Sequence, residues 1–159
     1  MNIRFATVGE HASLCQIAWE AKAHWGYADD QLEAWREDLS PTLDSIVNQP
    51  THASEFEAEL AGFYQLDVSC RPIELVHLWV RPRFMRRGLG RALLRHACER
   101  TSQLGAESLH IDSDPNAEPF YIANGATRIG LLNAPRQYEA SPIASVRNRA
   151  CRQLTCPRG

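Results

Sequence analysis

The sequence predicts a mixed α/β fold in a single domain spanning residues 1–159, and three local patterns support that prediction. A mostly apolar run at 73–80 is followed by a glycine loop, an amphipathic helix and a short apolar run at 108–112, as in a strand–helix–strand crossover. Two strand-like runs flank a tight turn at Ala58-Glu59 and predict a hairpin. Further along the chain, Asp114-Pro115 predicts the start of another helix.

The N-terminal part of the chain predicts one strand and three helices. Ile3–Ala6 has the composition of a short strand, and apolar residues then recur at helical spacing until Gly26, which ends the first helix. A second helix is predicted for Asp30–Leu39, and Ser40-Pro41 predicts the start of a third that continues to Asn48. The inward-facing residues of the first two helices are predicted to be Leu14, Ile17, Ala18, Ala21, Trp25, Leu32, Trp35 and Leu39.

Strands dominate the middle of the chain. The hairpin consists of strands at Ala53–Glu57 and Leu60–Leu66, and Ile73–Val80 is a longer apolar strand that we expect to be buried on both faces. Gly105 ends the crossover helix, and Ser108–Asp112 forms the next strand. The buried side of the crossover helix is predicted to carry Leu89, Ala92, Leu93 and Ala97.

The C-terminal part predicts one more helix and one or two strands. Asp114 is the expected N-cap, Pro115 the first helical residue and Gly125 the stop, after which Ala126–Leu132 forms a strand. Ala144–Thr155 is either a last strand or a loose end. If it is an unpaired strand, it could pair with a second copy of the chain, so a homodimer is one possible assembly.

The charge distribution is uneven although the net charge is only −2. Residues 1–67 contain 12 acidic and 3 basic side chains, whereas residues 68–159 contain 7 acidic and 14 basic ones. Six arginines surround the glycine loop, at positions 81, 83, 86, 87, 91 and 95. We expect a local anion site and no nucleic-acid partner, because a nucleic-acid surface spreads its basic residues more widely. Arg91 and Arg95 are equally consistent with a solvated helix face.

The cysteines and histidines give no sign of a metal site or a disulfide framework. The 5 cysteines form no CxxC pair and are odd in number, and the 6 histidines form no HxxxH or HxH pair. No apolar run approaches the roughly 20 residues of a membrane span, and the N-terminus lacks the apolar core of a secretory signal. We therefore expect reduced thiols, no metal, no membrane association and a cytoplasmic location.

The strongest functional signal is the segment Glu74–Leu94, in which a strand leads into a basic loop with Gly88 and Gly90 and then into a helix. Glycines let the backbone approach an anion, and the amides of a helix N-terminus attract phosphate. A Walker A loop is excluded because the only lysine is Lys22. A dinucleotide fingerprint is excluded because Leu93 stands where the third glycine is required and the loop comes late in the chain.

Two motifs in this region resemble those of the GNAT superfamily of acetyl-CoA-dependent N-acetyltransferases. The family's Val-x-Pro strand end, followed by [QR]-x-x-G-x-[GA], is matched by Val80-Arg-Pro82 and by Met85–Gly90, with Met85 in place of the usual Gln or Arg. The family's N-x-x-A-x-x-x-Y-x-x-x-G is matched by Asp114–Gly125, with Asp114 in place of the usual Asn. The resemblance covers most of residues 1–133.

This resemblance implies a mostly antiparallel mixed sheet, split near its middle and flanked by helices, that binds acetyl-CoA as co-substrate at the split. Loop amides would hold the pyrophosphate, and Arg86 or Arg87 would replace the side chain lost at Met85. An amide between Leu78 and Val80 would stabilise the oxyanion. The cofactor contacts implied in this way are Leu78, Trp79, Val80, Met85, Arg86, Arg87, Gly88, Leu89, Gly90, Arg91, Asn116 and Phe120.

The resemblance also assigns two catalytic side chains. Glu74 matches the family's general base, which acts directly or through water; alternatively, it only solvates the exposed start of its strand. Tyr121 matches the tyrosine that protonates the leaving thiolate, although Phe120-Tyr121 could also be a core aromatic pair. His77 points to the opposite face from Glu74, so we expect a hydrogen-bonded core histidine. No covalent acyl-enzyme is expected, because no cysteine lies beside a predicted base.

The acceptor is predicted less closely than the cofactor. In this family, specificity depends largely on the loop between the first two helices and on later strands, which here contain His24, Trp25, Tyr27 and Tyr64, although Trp25 could equally belong to the core. The acidic first half favours a cationic amine, small or peptidic. Alternatives are an acyltransferase for a longer acyl-CoA, a non-catalytic acyl-CoA-binding or sensor module, and a nucleic-acid-binding domain.

Overall fold

A computed structural model of the chain describes residues 1–69, 71–132 and 143–148, and it confirms the mixed α/β class. Two short 3₁₀ turns, Val8–Glu10 and Pro82–Phe84, accompany the helices and strands. In chain order, the helices and strands are β1 (Asn2–Phe5), α1 (His11–Ala23), α2 (Asp29–Ala34), α3 (Arg36–Leu39), α4 (Leu43–Asn48), β2 (Thr51–Phe56), β3 (Glu59–Asp67), β4 (Ile73–Val80), α5 (Leu89–Gln103), β5 (Leu109–Ser113), α6 (Glu118–Ala123), β6 (Ala126–Leu132) and β7 (Ile143–Asn148).

The chain forms two compact units. Unit 1 contains Met1–Val68 and Val76–Arg95, and unit 2 contains Ser69–Leu75 and His96–Gly159. Strand β4 and helix α5 each contribute residues to both units. Among the residues that the structure describes, no helix has the length and apolar character that a membrane crossing requires.

Unit 1 contains an antiparallel sheet covered by helices. β1 pairs with β2, from Asn2↔Glu55 to Phe5↔His52, and β2 pairs in turn with β3, next to which β4 lies. The apolar stripe predicted for α1 is buried except for Trp25, which is 40% exposed, because the rest of the stripe packs against the sheet and against α4. The cluster at the centre of this unit consists of Leu14, Ile17, Ala18, Ile46 and Phe63.

Unit 2 contains the parallel strand pairing that the predicted crossover requires. The first residues of β4 pair in parallel with β5 over three positions, from Ile73↔Leu109 to Leu75↔Ile111. β5 continues into antiparallel pairing with β7, and β7 pairs with β6. The C-terminal strand, Ile143–Asn148, is therefore hydrogen-bonded on both sides within the chain. The prediction that this strand could be unpaired and free to form a dimer is wrong. Positions 149–155 of the predicted strand lie outside the described residues.

The predicted burial of β4 on both faces is wrong for one face. Ile73, Leu75 and His77 are buried, but Val76 is 44% exposed and Glu74 is only half-buried. The strand therefore presents one buried face and one accessible face, which is the alternation that a period of two residues produces.

Helix boundaries in unit 1 differ from prediction at two places. The helix expected over Asp30–Leu39 is interrupted at Trp35, whose φ of −93° and ψ of 0° separate α2 from α3. The third helix begins after Thr42 rather than at Ser40-Pro41. There the Thr42 hydroxyl accepts the Ser45 amide at 3.0 Å while the Ser45 hydroxyl accepts the Thr42 amide at 3.0 Å, so this reciprocal cap fixes the first turn.

The hairpin turn lies one residue earlier than predicted, at Glu57-Ala58. Both residues have positive φ, 53° and 63°, which is the geometry of a type I′ turn. Such turns are usually Asn-Gly or Asp-Gly, so Glu-Ala gave no sequence signal. The register, with Phe56 opposite Glu59, requires a two-residue turn at this position.

Helix α6 starts later than its motif predicts. Asp114-Pro115 opens a turn instead, in which Asp114 Oδ1 accepts the Asn116 amide at 2.8 Å, and the helix begins at Glu118. The reason is Pro119, which lacks an amide hydrogen and is tolerated only in the first turn of a helix. Gly125, with φ of 89°, follows the end of the helix as predicted.

Candidate functional site

The glycine loop of unit 1 is held at both ends by buried side chains. Phe84 is 4% exposed and Leu89 is 1% exposed, and the intervening residues form the turn that leads into α5. Within this turn Arg86 and Gly88 have positive φ values of 60° and 83°. A Cβ added to Gly88 would meet no atom within 4 Å, so the backbone there borders open space.

The same loop supplies the N-terminus of a long helix. The Ala92 amide donates to the Gly88 carbonyl at 3.0 Å, which closes the first turn of α5. Amides that precede this bond have no carbonyl one turn earlier within the helix, so they and the helix dipole favour a bound anion. The predicted contacts Met85, Arg86, Arg87, Gly88, Leu89, Gly90 and Arg91 all lie on this turn or on the first turn of α5.

Arg81, at the end of β4, stabilises the structure around the loop. Its guanidinium donates to both carboxylate oxygens of Glu20 on α1 at 2.8 Å and to the Leu60 carbonyl at 3.0 Å. The side chain is only 15% exposed. Arg81 is therefore committed to holding the loop and is not available to a ligand.

The tip of the hairpin supplies two more carboxylates to the loop. Glu59 pairs with Arg83, and Glu57 lies 3.4 Å from Arg87. Arg86 is exposed and has no ionic partner among the residues that the structure describes. These two glutamates of the acidic first half neutralise two arginines of the loop. The positive field of the arginine cluster is therefore weaker than the sequence suggested.

The second half of β4 carries the residues predicted to contact the acetyl group. Trp79 donates its indole N–H to His77 Nδ1 at 3.3 Å. His77 is 5% exposed, and burial lowers its pKa to about 4, so it is a neutral core histidine as expected. The Trp79 carbonyl oxygen would lie 2.6 Å from a Cβ on Gly62 of β3, which explains why glycine occupies that position.

In unit 2, Glu74 lies in the parallel ladder. Its register partner on β5 is His110, whose Nε2 lies 3.3 Å from Asp112 Oδ1. His110 could not be identified from its own segment, because the register that aligns it with Glu74 is set by strand pairing.

Tyr121 lies on α6 and is 6% exposed, with its ring 5.1 Å from that of Phe120 in an edge-on arrangement. Burial, and secondarily the Asp114 carboxylate, raise the pKa of Tyr121 well above its ordinary value, so the phenol stays protonated. A bidentate ion pair between Arg128 of β6 and Glu118, at 2.6 and 2.5 Å, fixes the start of the helix. Asn116, the predicted cofactor contact, is exposed on the preceding turn.

The four predicted acceptor residues all belong to unit 1 but differ in exposure. His24 and Trp25 are exposed beyond the end of α1, with their rings 5.7 Å apart. Trp25 is 40% exposed and is therefore not a core residue. Tyr64 is fully buried and stacked on His52 at 5.0 Å, which argues against a contact with an acceptor.

Tyr27 takes part in a cluster that the sequence did not indicate. The ammonium of Lys22 lies 4.7 Å from the centres of both the Tyr27 and the Trp35 rings, and Lys22 is only 9% exposed. Cation–π contacts of this kind fix the end of α1 to the loop that follows it. Tyr27 is consequently an anchor of the loop as well as a candidate contact.

One cysteine of α1 lies beside a histidine, which is not the predicted base Glu74. Cys15 Sγ is 3.4 Å from His11 Nε2, one turn earlier on α1. A histidine four residues before a cysteine on a helix is the spacing that could have revealed this pair. In the described part of the chain, no group of three or more His, Cys, Asp or Glu side chains could hold a metal ion.

Comparison with known proteins agrees with this geometry. Residues 19–131 match the family model described as an acetyltransferase (GNAT) domain, which spans more than half of the chain. No curated protein matches the sequence.

Solved structures share the fold at low sequence identity. The PaiA N-acetyltransferase of Thermoplasma acidophilum, in complex with coenzyme A, is 20% identical, with a TM-score of 0.77 over 92% of this chain and 97% of its own. A GCN5-related N-acetyltransferase from Rhodopseudomonas palustris is 19% identical, with a TM-score of 0.80 over 92% and 94%. YncA of Salmonella typhimurium, with acetyl-CoA, is 18% identical, with a TM-score of 0.67 over 92% of both chains. With the family model matched and the glycine loop in place, the chain belongs to the GNAT acetyltransferase family.

Proposed function

We propose that this protein transfers an acetyl group from acetyl-CoA to an amine by direct attack, and that residues 1–159 act as one N-acetyltransferase domain. The observation that carries the proposal is the glycine loop at the start of α5, with its positive φ at Gly88 and the open space beside it. The coenzyme A and acetyl-CoA bound by the PaiA and YncA proteins support the same co-substrate here.

The loop fits a pyrophosphate. Gly88 has no side chain to block close approach, and the first amides of α5 provide donors at the positive end of a helix 15 residues long. Arg86 is the side chain best suited to add charge, since Arg83 and Arg87 already face carboxylates of the hairpin. Arg86 would thereby take over the role left open by Met85.

Acetyl transfer needs a neutral amine, a stabilised oxyanion and a leaving sulfur that does not depart as a bare thiolate. We assign the first task to Glu74, a half-buried carboxylate on the accessible face of β4, acting directly or through water. An amide among Leu78, Trp79 and Val80 would stabilise the oxyanion. The N–C bond then forms as the C–S bond breaks.

Tyr121 would assist the departure of the sulfur. Because burial raises the pKa of this phenol, complete proton transfer to a thiolate with a pKa near 8.5 is uphill. Tyr121 therefore stabilises the developing sulfur anion mainly by donating a hydrogen bond. When its proton passes to the sulfur as the tetrahedral intermediate collapses, the second N–H proton of the acceptor amine restores the phenol.

The acceptor would be a cationic or amphipathic amine, free or at a peptide N-terminus. His24 and Trp25 are exposed aromatic groups suited to such a ligand, and Tyr27 adds a ring whose face already accommodates the Lys22 ammonium. A cytoplasmic location and a homodimer remain predictions, and the dimer no longer has the C-terminal strand as its basis.

Two measurements test the proposal. Calorimetric titration with coenzyme A should show saturable binding, and absence of both heat and a thermal shift would refute a coenzyme A site. Thiol release from acetyl-CoA, measured with a panel of polyamines, amino acids, aminoglycosides and peptides, should identify at least one acceptor. Binding without turnover across the panel would instead favour a sensor module, and faster turnover of a longer acyl-CoA would change the acyl donor.

Substitutions assign the chemistry. Tyr121→Phe should lower kcat by about 10²-fold while leaving the Kd for coenzyme A nearly unchanged, because the lost hydrogen bond forms in the transition state. Glu74→Gln should flatten the rise in rate with pH, whereas Glu107→Gln, an exposed glutamate outside the site, should not. An unchanged rate for Tyr121→Phe would remove that residue from the mechanism, and an unchanged pH profile for Glu74→Gln would indicate another base.

A further inference from the structure

Unit 2 places three titratable side chains in a row on one face of its sheet. Glu74 on β4 and His110 on β5 are register partners in the parallel ladder, and Asp112 follows His110 at the spacing of two residues that keeps it on the same face. The strands of a sheet lie about 4.8 Å apart, so registered side chains on one face are neighbours. The row runs from a half-buried carboxylate, through an imidazole, to a second carboxylate.

The row lies on the accessible face of the ladder. The opposite face is buried, with Ile73, Leu109 and Ile111 between 0% and 1% exposed. Glu74 is half-buried, and the side chains of His110 and Asp112 are 32% and 37% exposed. The row therefore ends at side chains that reach water.

Asp112 also orients the imidazole. His110 Nε2 lies 3.3 Å from Asp112 Oδ1, and this contact favours the tautomer with its hydrogen on Nε2, in which Nδ1 is the basic nitrogen. An imidazole held in one tautomer by a carboxylate can take up a proton at one nitrogen, and the carboxylate stabilises the imidazolium that results.

We propose that His110, oriented by Asp112, relays to solvent the proton that Glu74 takes from the acceptor amine. This inference rests on the proposed acetyl transfer. An ammonium acceptor loses two protons in the overall reaction: one ends on the sulfur of coenzyme A, and the other must leave the protein. Glu74 accepts that second proton, His110 Nδ1 takes it from the carboxyl group, and the imidazolium releases it to water. Glu74 is thereby returned to its carboxylate form for the next turnover.

The charged groups around His110 are few in the described part of the chain. Glu74 faces it from β4 and Asp112 from its own strand, and Arg147 occupies the register position opposite it on β7. An imidazole is the side chain that exchanges protons most readily near neutral pH, which suits it to a relay.

The test is the response of His110→Gln to external buffer. A proton relay can be replaced by a small buffer, whereas lost packing cannot. With an acceptor found in the thiol-release panel, His110→Gln should lower kcat about tenfold at low buffer concentration, with an unchanged KM for acetyl-CoA. Added imidazole should restore kcat in this variant and leave the wild type unaffected. Asp112→Asn should show a smaller loss of kcat with the same rescue, because it only misorients the ring.

Controls separate the possible failures. His96→Gln, a half-buried histidine of α5 outside the row, should behave as wild type in every buffer, and thermal unfolding should show that all variants fold. Wild-type turnover together with a His110→Gln variant that is unimpaired, or impaired without rescue, overturns the relay alone. Absence of turnover in the wild type with every acceptor overturns both the relay and the proposed acetyl transfer.

Discussion

Replacing Gly88 with alanine tests the phosphate site with a predictable cost to folding. Gly88 has φ of 83°, and an L-residue in that region costs about 1–2 kcal/mol. Loss of glycine's freedom in the unfolded chain returns about 0.4–1 kcal/mol. The net destabilisation is about 1 kcal/mol, which lowers Tm by about 2–4 °C for a chain of this size. The new Cβ meets no protein atom, so no steric clash within the protein adds to this cost.

Gly105 provides a matched control. Its φ is 77°, and a Cβ there would also meet nothing within 4 Å, so Gly105→Ala carries the same backbone penalty. Gly105 follows the C-terminal end of α5, away from the helix N-terminus. Both variants should therefore lose similar stability, but only Gly88→Ala places a methyl group where the proposed site requires the backbone to approach the pyrophosphate.

The assay is calorimetric titration with coenzyme A, combined with thermal unfolding of the free proteins. We expect Gly88→Ala to weaken binding at least about tenfold, or 1.4 kcal/mol, and Gly105→Ala to bind as the wild type does. Equal affinities for the two variants would refute the assignment of the pyrophosphate to this loop. Unequal losses of stability would refute the claim that backbone strain is the same at both positions.

Three further predictions follow from unit 1. Gly62→Ala should destabilise the protein strongly, as measured by denaturant unfolding, because its Cβ would lie 2.6 Å from the Trp79 carbonyl; wild-type stability would contradict this close approach. The pKa of His77 is lowered from 6.5 to about 4, so between these two pH values the unfolded chain binds more protons at this residue than the folded protein does. The free energy of unfolding should therefore fall with decreasing pH, by about 2 kcal/mol on reaching pH 5, and His77→Gln should remove this dependence. Lys22→Met should loosen the loop after α1 and raise its proteolysis rate, whereas Lys22→Arg should not.

Regular elements with strong periodicity were predicted well from the sequence. Ile73–Val80 and Ala126–Leu132 have the predicted bounds, and the buried side of α5 is the predicted one. The predicted helix boundaries were wrong where a single side chain, and not the hydrophobic periodicity, determines where the helix starts. The cap of Thr42 moved the start of α4, and Pro119 delayed α6, because each of these residues controls specific backbone hydrogen bonds.

Some features of the candidate site could be predicted from the sequence and others could not. The glycine loop was visible because its residues are consecutive and its spacing is characteristic. The ion pairs of Arg81 and Arg87 with Glu20 and Glu57 join residues distant in sequence, so composition showed only an excess of charge and not its neutralisation. Tyr64 was expected to contact the acceptor but is fully buried. Its position in a strand does not show which other elements pack over it, so the sequence could not predict this burial.

The sequence by itself determined the mixed α/β class, the family and the glycine loop that precedes α5, since all three depend on local order and spacing. Only the tertiary structure decided the register that sets His110 beside Glu74, the burial that raises the pKa of Tyr121, and the contacts that leave Arg86 exposed in the loop. Register, burial and charge pairing depend on contacts between segments that are distant in the sequence. These contacts form only when the whole chain packs, so no single segment predicts them.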